Sequence, residues 1–278
     1  MKINKVLPVL ACALVSSPAS ALNFVFEYDA DSSFFTADRR NAIERAASTY
    51  ENYITNDLNV FVLLGSEWED DPDAVAWADG KPYLGQDTSP SMEVLVASWD
   101  EMPRVANFQH DWMGYIGFGE SINWYSGTDE SFSGWDLYTV VQHELGHVLG
   151  INDEMDTWGA QLSNGYFHGE NVVSVYGEPV PIHTEDNSHW AGWIDADGVL
   201  RGAMSTLPGT ETLQLAIMGP ASCGEDTRCY LTDLDLAALR DIGWNVSTIP
   251  EPGTLYMLLS GLGIVGLGVR RRRRIALS

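Results

Sequence analysis

Val140-Val141-Gln142-His143-Glu144-Leu145-Gly146-His147-Val148-Leu149-Gly150-Ile151-Asn152-Asp153 is an apolar helix pattern carrying two imidazoles and a carboxylate. His143 and His147 stand four apart, so on a helix both side chains leave one face and can hold a single metal ion from successive turns. Glu144 leans toward the open side of that ion, where it can accept a proton from a water. Val140, Val141, Leu145, Val148 and Leu149 would bury the helix and limit solvent around it. Gly150 can take a left-handed conformation, end the helix and turn the chain back. Asp153, three residues on, then returns as a third ligand. Two neutral histidines, one carboxylate and a water make an open tetrahedral Zn²⁺ site.

Outward from this segment, Ser/Gly/Asp-rich sequence ending at Gly134 precedes Asp136, which can cap a helix from Leu137 to Leu149. Leu22 to Tyr28 alternates as a strand does. Asp38 to Ile54 carries Ala42, Ile43, Ala46, Ala47, Tyr50 and Ile54 at helical spacing. Leu58 to Leu64 is a strongly apolar strand, Met92 to Trp99 and Tyr115 to Phe118 are further strands, and Glu67 to Asp73 is an acidic loop. Gly150 to about Ser205 is Gly-, Asn- and Asp-rich with little periodicity. Asp233 to Asp241 closes the body as a helix. This order predicts an α+β domain over 22–249, with an upper lobe 22–150 and an irregular lower lobe 151–249.

The two ends read as addresses. Lys2 and Lys5, the apolar run from Val6 to Ser16 and Pro18-Ala19-Ser20-Ala21 have the order of a secretory signal over 1–21, to be cut by signal peptidase after Ala21. The first strand follows at once, which predicts that no N-terminal propeptide holds the protein inactive. At the other end Pro250-Glu251-Pro252 precedes an apolar run, 253–269, and the arginines 270–274. Such a run spans about 25 Å as a helix, enough for a bilayer core. The arginines should stay cytoplasmic, which places the body periplasmic. Residues 250–278 closely resemble the PEP-CTERM sorting signal, in which an exosortase cuts near the Pro-Glu-Pro motif and the protein moves to the surface or medium.

Charge and cysteine usage agree with export. The chain has 39 acids, 15 bases and a net charge of −24. Seven bases lie in the two ends, so residues 22–249 keep 38 acids against eight bases, a balance of −30. That excludes nucleic acid as a partner, because phosphate binding needs a basic face. The chain is nonetheless 45% hydrophobic with ten Trp, enough to bury a core. Removing the signal removes Cys12. Cys223 and Cys229 remain, and an oxidising compartment makes a disulfide their default.

The extended motif resembles that of the metzincin clan of zinc peptidases, His-Glu-x-x-His-x-x-Gly-x-x-His/Asp, with Asp153 as in its snapalysin variant. The resemblance implies a zincin-like fold. A twisted mixed sheet and an active-site helix would lie above an irregular lower lobe with a C-terminal helix, and zinc would sit at the floor of a cleft between the lobes. His183 or His189 could replace Asp153 as third ligand, but neither has the motif's offset. Ser188-His189-Trp190 otherwise reads as lower-lobe lining with a hydrogen-bonded structural histidine. Ala216-Ile217-Met218-Gly219-Pro220 looks like a Met-turn of matrixin form, which would put the Met218 thioether beneath the metal, with Met204 as a rival. Leu231 to Trp244 resembles the closing helix of bacterial matrixin-like peptidases. A thermolysin-like site would use Glu170, which lacks that family's surrounding pattern.

Asp195-Ala196-Asp197-Gly198 looks like part of a Ca²⁺ loop, but the bidentate Glu is missing at its offset. These features imply an exported zinc endopeptidase acting on protein or peptide, with Glu144 as general base. The alternative is a non-catalytic, zinc-stabilised surface or exopolysaccharide-matrix binding protein. The substrate and the oligomeric state are not legible in the sequence.

Overall fold

The computed structural model describes residues 22–30, 32–66, 75–83, 108, 110–194, 200–221 and 223–247. The signal segment, the acidic loop 67–73, the strand expected at 92–99, the calcium-like loop 195–198 and the sorting tail with its apolar run lie outside them.

Four strands form the main sheet: β1 (Asn23–Tyr28), β2 (Asn59–Gly65), β3 (Ala76–Pro82) and β4 (Trp112–Phe118), in the order β1-β2-β4-β3. β1 pairs with β2 and β2 with β4 in parallel, while β3 runs antiparallel along β4, so the sheet is mixed. Parallel neighbours need a crossover, and α1 (Ala37–Glu51) supplies it between β1 and β2. Thr36 caps α1, its side chain accepting from Arg39 N. The spacing of Ala42, Ile43, Ala46, Ala47 and Tyr50 gives the helix one buried face.

β2 is buried along five of its seven residues. Alternation sends Val60, Val62 and Leu64 into the main core, while Phe61 and Leu63 meet Met113 and Tyr83 in a second cluster. β3 was not anticipated. Its sequence, Ala-Trp-Ala-Asp-Gly-Lys-Pro, has no β-branched residue and is set as a strand by pairing with β4, from Ala76 opposite Phe118 to Pro82 opposite Trp112.

Two short strands, β5 (Trp124–Tyr125) and β6 (Trp135–Asp136), lead into α2 (Leu137–Val148), which packs against α1 and β3. Beyond it come α3 (Asp156–Gly159), β7 (Leu162–Ser163), β8 (Tyr166–Phe167), α4 (Glu170–Tyr176) and β9 (Val180–Pro181). β10 (Gly192–Ile194), β11 (Leu200–Gly202), β12 (Met204–Thr206), β13 (Leu213–Leu215) and α5 (Asp233–Asp241) follow. The later strands make only two- and three-stranded sheets: β7-β8-β9, β10-β11 and β12-β13. One apolar core nevertheless runs from Leu22 to Trp244, through Tyr50, Leu145, Trp158, Trp190 and Leu239.

α5 opens with a reciprocal cap. The Thr232 hydroxyl donates to Asp235 Oδ2 and accepts from the Asp235 backbone N–H. The expected disulfide is formed between Cys223 and Cys229, with Cα atoms 6.3 Å apart. Its loop carries Arg228, whose guanidinium donates to both oxygens of Asp136, 2.7 and 3.0 Å away. Asp136 is the N-cap of α2, so the disulfide loop is tied to the start of that helix.

Candidate metal centre

Asp136 Oδ2 accepts from Thr139 N and Thr139 Oγ1, which fixes where α2 begins. Every residue of the helix from Thr139 to Val148 is buried, so packing around the helix fixes where His143, Glu144 and His147 stand. At the other end Gly150 has φ +96°. Gly150 N donates to His147 O and Ile151 N to Gly146 O, the paired bonds of a Schellman ending. The helix therefore stops where the motif requires, and the chain doubles back.

That reversal does not bring Asp153 to the histidines. Ile151 O accepts from His147 Nδ1 at 2.6 Å, and Asn152 Nδ2 bonds both His147 O and Asp79 Oδ1, so the returning chain is fixed against the helix end. Asp153 is turned instead to Ser188: its N–H donates to Ser188 Oγ, and its Oδ1 accepts from the same hydroxyl. It supports the loop that carries His189. His189 is the residue that joins the pair, and His143, His147 and His189 form the metal-capable cluster among the described residues. On this geometry His189, rather than Asp153, is the third member of the cluster.

The tautomers follow from the partners. His143 Nδ1 faces Ile217 O at 2.7 Å, His147 Nδ1 faces Ile151 O, and His189 Nδ1 faces Asp186 Oδ2 at 2.9 Å. Each is an acceptor, so each Nδ1 carries the ring's proton and each Nε2 is left with a lone pair. The three Nε2 atoms lie 3.0, 3.0 and 3.1 Å from one another. Three acceptors converging without a proton between them repel unless a cation sits among them, so the donor set fits a divalent metal. Three imidazole nitrogens suit zinc, and Nδ1 atoms tied to carbonyls and a carboxylate are the usual outer support of such ligands.

Electrostatics agree with this reading. Burial, then the neighbouring His147 and His189, hold His143 well below the ordinary imidazole range. Burial, then His189, pushes His147 down to about 3. Both rings are thus in the neutral form that binds metal. Burial also opposes ionisation of Asp186, but bonds from His189 and Ser188 outweigh it and hold this carboxyl well below the usual range. Burial pushes Glu144 up to about 8, and a cation beside it would draw that value down.

Met218 is fully buried, and a Cβ at position 146, between the two helical histidines, would fall 2.3 Å from its sulfur. Helix position 146 is therefore a glycine's place, and the thioether lies against the turn that carries both histidines. Met204, the rival, is 44% exposed. The preceding Ile217 supplies the carbonyl that holds His143. Glu170 lies in the first turn of α4, exposed and outside the cluster.

A cleft of about 670 Å³ opens over the three histidines and Glu144. Trp77 and Asp79 of β3, Tyr115 of β4 and Pro220 beyond Met218 form parts of its wall. β3 and Asp186 are the elements that the sequence reading missed, while His189 was named there only as a substitute without the motif's offset. The visible signal for Asp186 was the run His183 to Trp190, dense in His, Asp, Asn and Ser between apolar segments.

Residues 248–273 match the PEP-CTERM protein-sorting motif. That motif marks a protein recognised by an exosortase-type processing enzyme, exported, anchored transiently at the membrane and sorted to the surface. No helix among the described residues is long and apolar enough to cross a membrane. No curated protein and no solved structure matches the chain.

Proposed function

We propose that this chain is an exported zinc-dependent metallopeptidase whose metal is held by His143, His147 and His189. The observation that carries this is the triangle of Nε2 atoms with every Nδ1 tied to an acceptor, and with Glu144 on the same helix lining the same cleft. Zinc bound there would supply Lewis-acid polarisation of a carbonyl and lower the pKa of a coordinated water. Glu144 takes the proton from the attacking water and returns it to the leaving amine. β3 contributes Trp77 and Asp79 to the cleft wall, along which an extended peptide would lie.

The test is peptidase activity of the purified protein on a peptide library, with and without a chelator. Glu144→Gln should lower kcat/KM by about 10²–10⁴-fold, the usual worth of a general base, while zinc stays bound. Full chelator-sensitive activity in that variant would sink the assignment.

A second reading rests on the sorting motif at 248–273, since a surface-sorted protein need not be an enzyme. In that case the three histidines stabilise a matrix-binding protein, and no peptide is cut whatever the metal.

A further inference from the structure

Each of the three histidines needs an acceptor at Nδ1 to present its lone pair, but the three acceptors differ in kind. Those of His143 and His147 are backbone carbonyls, of Ile217 and Ile151. His189 has a carboxylate, Asp186 Oδ2, brought by its own loop. The same oxygen accepts from His183 Nδ1 at 3.1 Å, and Asp186 Oδ1 accepts from Ser188 N at 2.9 Å. The loop is closed on itself by His183 N to His189 O, 2.9 Å, and Asn187 N to His183 O, 3.0 Å. It is moored to the core by Trp158 Nε1 donating to Asn187 O at 2.8 Å.

We propose that Asp186 is the positioning residue of the centre: it fixes the tautomer and ring direction of His189, and so decides that this loop histidine completes the ligand set. The inference rests on the metal-centre reading. A helix fixes its histidines through its backbone, but a loop has no such frame. Here a single carboxylate replaces it, oriented by Ser188 N on one oxygen and by His183 on the other. The negative charge also makes the imidazole a stronger donor to a cation, which a carbonyl cannot do to the same degree. Nothing in the His-Glu-x-x-His segment specifies this, because the device lies some forty residues further along the chain.

The experiment compares purified wild type, Asp186→Ala, Asp186→Asn and His189→Ala. Zinc affinity is measured by competition with a chromophoric chelator, thermal midpoints are measured after zinc removal, and the visible spectrum is recorded with Co²⁺ in place of zinc. Asp186→Ala should weaken zinc binding by about 10–100-fold, the usual cost of losing an outer hydrogen bond. It should also change the Co²⁺ spectrum and leave the metal-free midpoint where it was. Asp186→Asn keeps an acceptor oxygen without the charge and should fall between, which guards against misfolding of the alanine variant. The proposal is overturned if both Asp186 variants bind zinc like wild type, or if the metal-free midpoint drops while affinity holds. If His189→Ala also binds like wild type, the metal-centre reading fails with it; if only His189→Ala loses zinc, the Asp186 assignment alone falls.

Discussion

His143 and His147 leave successive turns of one buried helix, whereas His189 arrives on a loop, and different forces hold the two parts. The helical pair is placed by backbone hydrogen bonding and apolar packing: Val141, Leu145, Val148 and Leu149 are all fully buried around it. The loop histidine is placed by polar side chains. Asp186 holds its ring, Ser188 ties it to Asp153, and the next residue, Trp190, is anchored through Met218 O and Asp235 Oδ1. The contrast extends to the surroundings. Before Gly150 the chain builds a four-stranded sheet and two long helices; after it come strands of two or three residues linked by side-chain bonds. A periodic pattern suffices to position the first half of the site, and the second half depends on individual hydrogen bonds.

The largest expected effect falls on the loop ligand itself. A structural zinc site binds with roughly 10–16 kcal/mol shared among four donors, so His189→Ala should weaken zinc by on the order of a thousandfold. An unchanged affinity in a chelator competition would end the comparison by removing His189 from the site.

Next comes Asp235, the buried acid that gathers the segments of the second half. It accepts from Thr232, from Trp190 Nε1 and from the backbone N–H groups of Ile217 and Met218. Asp235→Ala leaves several buried donors without a partner and should destabilise the domain by about 3 kcal/mol or more in urea unfolding. A loss below about 1 kcal/mol, the size of a single ordinary hydrogen bond, would show the hub to be dispensable.

Gly150→Ala tests the helix end. A Cβ there meets Trp112 at 3.4 Å, ordinary contact, so the cost is conformational, about 1–2 kcal/mol for an L-residue at φ +96°. A stability equal to wild type by thermal unfolding would mean that the turn relaxes freely.

Smallest is Asp153→Ala. As a support for Ser188 rather than a ligand, it should change zinc affinity by less than about tenfold, the low end of outer-sphere effects. A loss as large as that of His189→Ala would restore Asp153 to the ligand set and break the distinction between helix and loop.

Much of this was legible along the chain. The i, i+4 histidines, the Asp136 cap, the glycine stop, the strand read at 22–28 and the closing helix 233–241 follow from local rules, because each is set by neighbours within a turn or two, and the 223–229 disulfide follows from export. β3 was not, since Ala, Trp, Asp, Gly, Lys and Pro carry little strand preference and its pairing with β4 is a long-range contact. The third member of the histidine cluster was not legible for a related reason. Sequence offset favoured Asp153, yet the bonds from His147 to Ile151 O and from Asn152 to His147 O fix the returning chain with Asp153 facing Ser188.

The sequence by itself determined that the chain is exported and surface-sorted, that its body is strongly acidic, and that one helix presents two imidazoles and a carboxylate to a common point. Export signals and helical faces are encoded by composition and short spacing, which need no distant partner. Tertiary structure decided which of the candidate third ligands reaches that point and which strand borders the cleft. Those choices depend on loops closing over some forty residues, where side-chain hydrogen bonds, not periodicity, select one arrangement among many.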